Sequence, residues 1–271
     1  RGSARPLVLP RGSDFYAVGL MAAPPARLCR FTSNRMEIID VVSGRESAGG
    51  FDFPEPVTRS GNLRSDGRFL AVRTKALRNQ VWEAIDGRVR VVALQDASNG
   101  EAWFQFSAVG DLLSMVVDGS REIRAWNLHT GQPVAPPMKL DASIFAFNHA
   151  ISSDGKRLAA GANDGTIRVW DVATNRALFD LKPFPERQVN RVVFSPDGTR
   201  LATTNPSGEV RLWDGTNGRP VSPVLHHRTR ADPAVFSHDS RTLATSSFDG
   251  TARVWDARDG APIGEPMVHP G

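Results

Sequence analysis

Cysteine is almost absent from this 271-residue chain: Cys29 stands alone. One thiol excludes an internal disulfide and any cysteine-based metal cluster. Its apolar neighbours mark it as buried filler rather than a reactive group. Lysine is scarce too. Only Lys75, Lys139, Lys156 and Lys182 stand among the 33 lysines and arginines, so the positive charge is nearly all guanidinium. The pI is near 9.8, yet the net charge is only +4, and the arginines are scattered rather than gathered on one stripe. That distribution reads as solvated surface, and no nucleic-acid partner is expected. No apolar run approaches the roughly 18 residues that announce a membrane span. The first residues carry no charged-then-apolar secretion signal. A cytoplasmic setting is the expectation. Convincing helical periodicity is missing from every segment.

Turn formers are abundant, with 24 glycines and 19 prolines. Hydrophobic residues make up 40% and charged residues 23%, the balance of an ordinary globular protein. The length suffices for one or two domains. The chain runs from Arg1 to the unpunctuated Met267-Val268-His269-Pro270-Gly271, and is read as a piece of a longer polypeptide. Leu7 to Ser13 loosely resembles a protease site from an expression tag, but one extra leucine spoils the match.

Periodicity organises the sequence. Trp170-Asp171, Trp213-Asp214 and Trp255-Asp256 each close a short alternating run, and Trp126-Asn127, Trp82-Glu83 and Ile39-Asp40 are weaker versions. The markers at 39, 82, 126, 170, 213 and 255 are spaced by 43, 44, 44, 43 and 42 residues. Five residues after each sits Gly44, Gly87, Gly131, Asn175, Gly218 or Gly260, the residue types that tolerate positive φ in a turn. Earlier in the repeats come Ser195-Pro196-Asp197-Gly198, Ser153-Asp154-Gly155, Ser65-Asp66-Gly67 and His238-Asp239-Ser240, each leading into a short apolar strand. A third turn follows at Asn163-Asp164-Gly165 and Phe248-Asp249-Gly250. Each unit is therefore four strands joined by three tight turns. A four-stranded sheet of this size cannot bury both faces alone. Radial stacking solves that problem, so the predicted fold is an all-β propeller of four-stranded antiparallel blades with six repeats over residues 1–271.

Residues 140–271 resemble the WD-repeat (WD40) family in the S-P-D-G turn, the L-A-T strand, the D-G turn and the closing V-W-D. The match is specific in the last three repeats and weaker in the first three. The style of the array is similar to bacterial WD-repeat arrays. The resemblance implies a structural tetrad in the last repeat, formed by His227, Thr245, Asp249 and Trp255. The fourth repeat keeps only Asp164 and Trp170 of that set. The fifth keeps Thr203 and Trp213, with Ser207 in place of Asp. The first three blades are therefore expected to rest mainly on packing. The family's offset between repeat and blade implies that Leu7-Val8-Leu9, within residues 1–13, is an outer strand without its blade. It also implies that Pro262 to Val268 supply the outer strand of the sixth blade, and that His269 opens a following repeat. A seven-bladed ring or a longer array is the expectation, with an aggregation-prone open arc if six blades stand alone.

Catalytic constellations are missing. The aspartates recur with the repeat and read as turn or tetrad residues. His129, His149, His226, His227, His238 and His269 form no metal-ligand spacing, and no phosphate-binding loop or nucleophile elbow is present. No cofactor and no metal are expected. The resemblance places partner docking on the face beside the tetrad histidine and the turn aspartate. By position this selects Arg228, Arg230 and Phe248 in the last repeat, Arg187 and Gln188 in the fifth, Phe145 and Asn163 in the fourth and Arg59 in the second. Arginines and aromatics are favoured binding anchors, and a guanidinium cluster suits a carboxylate- or phosphate-bearing protein or peptide. The expected function is a non-catalytic interaction scaffold, with a regulatory or sensor module of a larger signalling protein as its refinement. The alternative is a hydrolase or other enzyme working in a central channel. The apolar inner strands Val192-Val193-Phe194, Ala234-Val235-Phe236 and Ala150-Ile151 argue against it.

Overall fold

The computed structural model describes residues 17–21, 27–31, 34–40, 46–64, 66–85, 88–95, 97–184 and 188–268. Among them all regular structure is strand, arranged as six four-stranded antiparallel sheets, each taking its strands in chain order. Blade one holds β1 (Ala17–Met21), β2 (Arg27–Phe31), β3 (Arg35–Asp40) and β4 (Glu46–Asp52). Blade two holds β5 (Val57–Leu63), β6 (Phe69–Thr74), β7 (Asn79–Ile85) and β8 (Arg88–Val92). Blade three holds β9 (Ala102–Phe106), β10 (Leu112–Val117), β11 (Glu122–Asn127) and β12 (Met138–Lys139). Blade four holds β13 (Ile144–Ile151), β14 (Arg157–Ala162), β15 (Ile167–Asp171) and β16 (Arg176–Leu181). Blade five holds β17 (Arg191–Phe194), β18 (Arg200–Thr204), β19 (Glu209–Asp214) and β20 (Leu225–His226). Blade six holds β21 (Ala231–Phe236), β22 (Thr242–Ser247), β23 (Thr251–Asp256) and β24 (Met267–Val268). The sheets are of propeller-blade type. Residues 1–104 and 129–131 form one compact unit, and residues 105–128 and 132–271 form another.

Turn chemistry explains why the strands end where they do. Gly131, Gly218 and Gly260 have φ of +68°, +74° and +79°, and Asn175 takes the same role at +56°. A side chain at Gly260 would meet Ser222 at 2.6 Å, so that turn needs glycine for space as well as for φ. At the first hairpin of blades four, five and six a serine hydroxyl donates to the aspartate two residues on: Ser152 to Asp154, Ser195 to Asp197 and Ser237 to Asp239. The same hydroxyls accept the backbone N–H of Arg157, Arg200 and Thr242. These local bonds compete with any longer strand and fix the hairpin. As expected from the sequence, residues 262–268 supply blade six's outer strand: Pro262 bridges Trp255, and β24 pairs with β23. Leu7 to Leu9, residues 1–13, Gly44, Gly87 and His269 lie outside the described residues.

In the second unit the core is a series of interfaces between successive blades. Val116, Ile123, Ala125 and Met138 of blade three pack against Leu158, Ala160 and Trp170 of blade four. Ala159, Ile167 and Val169 of blade four pack against Val192, Leu201 and Trp213 of blade five. Ala202, Val210, Leu212 and Leu225 of blade five pack against Ala234, Leu243 and Trp255 of blade six. Each large side chain removed from water in this way contributes about 1.5–3 kcal/mol. Two arginines lock the blades further. Arg157 Nη1 donates to Gly215 O at 2.6 Å, and Arg200 Nε donates to Ala257 O at 2.9 Å. In both cases the acceptor is the first residue after the Trp-Asp pair of the next blade.

In the first unit Met36, Val57, Leu70, Val72 and Trp82 form a buried cluster flanked by Phe53, Leu63 and Val89. The Phe53 ring leans on Trp82 with centroids 4.9 Å apart.

Candidate functional site

The best-formed polar site sits at one end of blade six, where the β20–β21 and β22–β23 loops meet. Trp255 Nε1 donates to Thr245 Oγ1 at 2.8 Å, and Thr245 Oγ1 lies 2.7 Å from His227 Nε2. An indole N–H can only donate, so the threonine hydroxyl accepts it and has its own O–H available to donate to Nε2. That leaves the imidazole proton on Nδ1, facing Asp249. The carboxylate is 3.8 Å from Nδ1, too far for a direct hydrogen bond. Thr251 fills the gap. Its hydroxyl donates to Asp249 Oδ1 at 2.6 Å and lies 3.4 Å from Nδ1. Thr251 was not singled out in the sequence, although both D-G turns continue into threonine, at Thr166 and Thr251.

Asp249 also accepts the N–H of Arg228 at 2.9 Å and that of Thr251 at 2.9 Å. Burial opposes its charge, but these bonds and the Thr251 hydroxyl prevail and hold its pKa at about 2. For His227 burial lowers the pKa, Asp249 opposes the shift and Arg253 adds to it, so the ring is neutral at pH 7.

The tied loops carry the surface residues. Phe248 N donates to Arg230 O at 3.1 Å. The Arg230 guanidinium lies 5.7 Å from the Phe248 ring centre, within cation–π range. The ring itself is 76% exposed, and Arg228 is exposed beside it. Arg230 also meets Asp232 at 3.0 Å, and Asp232 receives Arg191 Nε of blade five at 2.8 Å. Arg191 and Asp232 were missed because they fall inside strands that read as plain apolar runs. The structure thus brings Arg228, Arg230 and Phe248 together. Gln188 and Asn163 are exposed on blades five and four, apart from that cluster. Arg187 lies outside the described residues, as do the side chains of Phe145 and Arg59.

The other blades solve the same local problem differently. In blade five Trp213 Nε1 donates to Thr203 Oγ1 at 3.1 Å. The turn role assigned to Ser207 belongs instead to Asn205, whose side-chain carbonyl accepts the N–H groups of Ser207 and Glu209. A planar amide reaches both donors; a serine at 207 is one of the donors. In blade two Trp82 Nε1 donates to Gln80 Oε1 at 2.7 Å, and Gln80 Nε2 donates to Glu55 Oε1 at 2.5 Å. Glu83, in the marker's second position, has a side chain only 1% exposed. It receives Arg68 on Oε1 at 2.6 and 2.9 Å and Arg90 on Oε2 through Nε and Nη2. Burial alone would raise its pKa, yet the bonds from Arg90 and Arg68 bring it below the usual value. Blade two therefore adds a buried polar set of its own to its apolar packing.

The sequence profile of the WD40 family (WD domain, G-beta repeat) matches residues 141–171, 181–214 and 229–256. Three segments of the chain thus match WD40 repeats. The three matched segments fall in blades four, five and six, where the hairpin serine, the closing tryptophan and the turn acceptors all recur. A curated relative, the WD repeat-containing protein VIP3 of Arabidopsis thaliana, is 32% identical over 133 residues, 42% of this chain and 41% of that protein. The U3 small nucleolar RNA-associated protein 4 of Schizosaccharomyces pombe is 31% identical over 74 residues, 27% of this chain and 10% of that protein. The chain thus spans less than half the length of either relative. Among solved structures, the crystal structure of the computationally designed Ika8 protein matches with a TM-score of 0.72 and 18% identity, covering 95% of this chain and 75% of that one. That likeness concerns the fold alone.

Proposed function

We propose that this WD40 chain is a non-catalytic platform that docks a protein or peptide on the loop end of blade six, with Arg228, Arg230 and Phe248 at the centre. The observation that carries the reading is the exposed Phe248 ring with Arg230 stacked beside it and Arg228 adjacent. An exposed aromatic beside the Arg230 guanidinium, with the exposed Arg228 on the same loop, matches an apolar side chain next to a carboxylate or phosphate. Asp232 remains paired with Arg191 when Arg230 turns outward, so recruiting Arg230 strands no charge. Gln188 and Asn163, exposed on blades five and four, are added to the site by their place in the repeat, as are Arg187, Phe145 and Arg59. A regulatory role within a larger signalling protein is the finer reading, and it rests on the likeness to bacterial arrays.

Arg228→Glu/Arg230→Glu and Phe248→Ala test the site. Captured partners are compared by mass spectrometry, and binding of an acidic or phosphorylated peptide drawn from them is measured by calorimetry. Both variants lose binding at least tenfold if the site is right, because an anchor residue contributes about 2 kcal/mol or more. Unchanged affinity in both, with the fold intact, rejects the site.

A further inference from the structure

From blade three onward, each third strand carries an arginine two residues before its tryptophan: Arg124, Arg168, Arg211 and Arg253. Blade four shows that position satisfied. Arg168 pairs Asp180 across β15 and β16, and the carboxylate receives its Nε and Nη2 at 2.7 Å each. That is the two-pronged fit of guanidinium to carboxylate. In blade three Glu122 meets Arg124 at 3.3 Å. Arg211 of blade five has no acceptor at Nε and lies 4.6 Å from the Trp213 ring centre. In blade six Ala252 pairs Met267, so the same register sets Pro266 opposite Arg253, where blade four has Asp180. Arg253 Nε is buried with no acceptor among the described residues.

A second bond is missing beside it. In blade five Leu212 donates its N–H to the Ser222 hydroxyl at 3.0 Å and accepts Val221 N–H on its carbonyl. Val254, 42 residues on, likewise accepts Ile263 N–H at 2.8 Å. A strand residue's N–H and C=O point the same way, so the Val254 N–H also faces the outer segment. There Gly264 stands at the place of Ser222 in the repeat, without a hydroxyl and with open space where a side chain would begin. Arg253, Val254, Pro262, Gly264, Glu265 and Pro266 line a cleft of about 30 Å³ at this point. It has room for about two water-sized atoms, the two oxygens of a carboxylate. Residues 261–268 around it are exposed.

We propose that this cleft is a carboxylate-binding site, filled by an aspartate or glutamate side chain of a bound polypeptide. Arg253 plays toward that acid the part Arg168 plays toward Asp180, and the Val254 N–H is the further donor. The cleft admits the carboxylate alone, so the rest of the ligand lies along the exposed outer edge of blade six, as the outer strand carries Asp180 in blade four. Glu265 lines the cleft too, and its charge opposes the incoming acid. The site shares no residue with the Arg228, Arg230 and Phe248 cluster.

Titration of the isotope-labelled chain with capped Gly-Asp-Gly, its Gly-Asn-Gly counterpart and acetate, at constant ionic strength, tests the assignment. The nuclear magnetic resonance signals of Arg253 Nε–H and Val254 N–H are the readout. Both move saturably with the aspartyl peptide and stay still with the asparaginyl one. Arg253→Lys weakens that binding by about tenfold or more, because the fork is lost, and Glu265→Gln strengthens it. Pro266→Asp supplies the acid internally, as in blade four; it abolishes peptide binding and raises the melting temperature. Arg228→Glu/Arg230→Glu leaves all of this unchanged, which keeps the site distinct from the loop end. Equal shifts with both peptides, full affinity in Arg253→Lys, or undiminished binding in Pro266→Asp overturns the proposal. So do shifts with acetate and none with the aspartyl peptide, since the occupant is then a free carboxylate.

Discussion

Blades two and six hold a tryptophan in the same place by opposite means. In blade six the indole N–H is satisfied by a neutral relay through Thr245 to His227, and the nearby carboxylate, Asp249, has a side chain only 5% exposed and is held by backbone N–H groups and the Thr251 hydroxyl. In blade two the indole bonds Gln80, and the adjacent buried position is a full carboxylate neutralised by two arginines. The first solution, the tryptophan–threonine–histidine relay, asks little of solvation, because neutral groups exchange water for one another, and the buried Asp249 is met by fixed donors rather than by a mobile cation. The second takes an ion out of water and depends on both partners. Of these two blades, the one with the poorer resemblance to the repeat is therefore the one whose polar core depends on paired charges.

The largest effect that separates them comes from stranding the carboxylate. Arg68→Met/Arg90→Met leaves Glu83 buried and unpaired and costs about 3–5 kcal/mol in denaturant unfolding. Glu83→Leu, by contrast, is close to neutral, because both arginines are partly exposed and swing into water. Equal losses in the two variants erase the proposed contrast.

Acid separates the two regions next. His149, fully buried on β13, has its pKa pushed by burial to about 4, and His227 is lowered as well. At pH 7 both rings are neutral whether the chain is folded or unfolded. Below the ordinary value of 6.5 the unfolded chain binds protons that the folded chain refuses, so stability falls from there toward pH 4. The His149 part approaches about 3 kcal/mol, and His149→Leu removes it. Glu83 behaves otherwise. Its contribution is intact down to the ordinary 4.5 and is lost only as pH falls through its lower folded value. Hydrogen exchange across a pH series shows blades four and six loosening before blade two; simultaneous loosening contradicts this account.

Thr245→Val removes the centre of the relay and leaves the Trp255 and His227 nitrogens without partners, at about 2–3 kcal/mol, while Thr245→Ser retains most of the stability. The smallest effect is that of the clamp. Arg200→Ala costs about 1–2 kcal/mol and is felt as faster exchange at the blade five–six boundary.

The six-fold repeat, the turn positions and the blade boundaries were legible because each rests on local chemistry: a positive φ, a serine capping its own turn, an indole every 43 residues or so. The relay of blade six was legible in its members but not in its connection, since only coordinates show that Thr251 fills the space between His227 and Asp249. Asn205, Gln80, Glu55 and Glu83 were opaque for another reason. They perform the repeat's tasks with different residue types, and a motif search sees substitution where the fold sees equivalence. Arg157 and Arg200 were visible as letters, but their partners lie 58 and 57 residues away across a blade boundary.

Every blade interface in the second unit joins a front to a back: one blade's aliphatic row meets the next blade's tryptophan. Such contacts are heterologous and polar in direction, so no single contact limits how many units follow. Adding or deleting one whole repeat leaves a front still opposed to a back, whereas an insertion of any other length breaks the match. Duplication by the repeat length is therefore the change this architecture tolerates most readily, and its direction of growth is written into each joint.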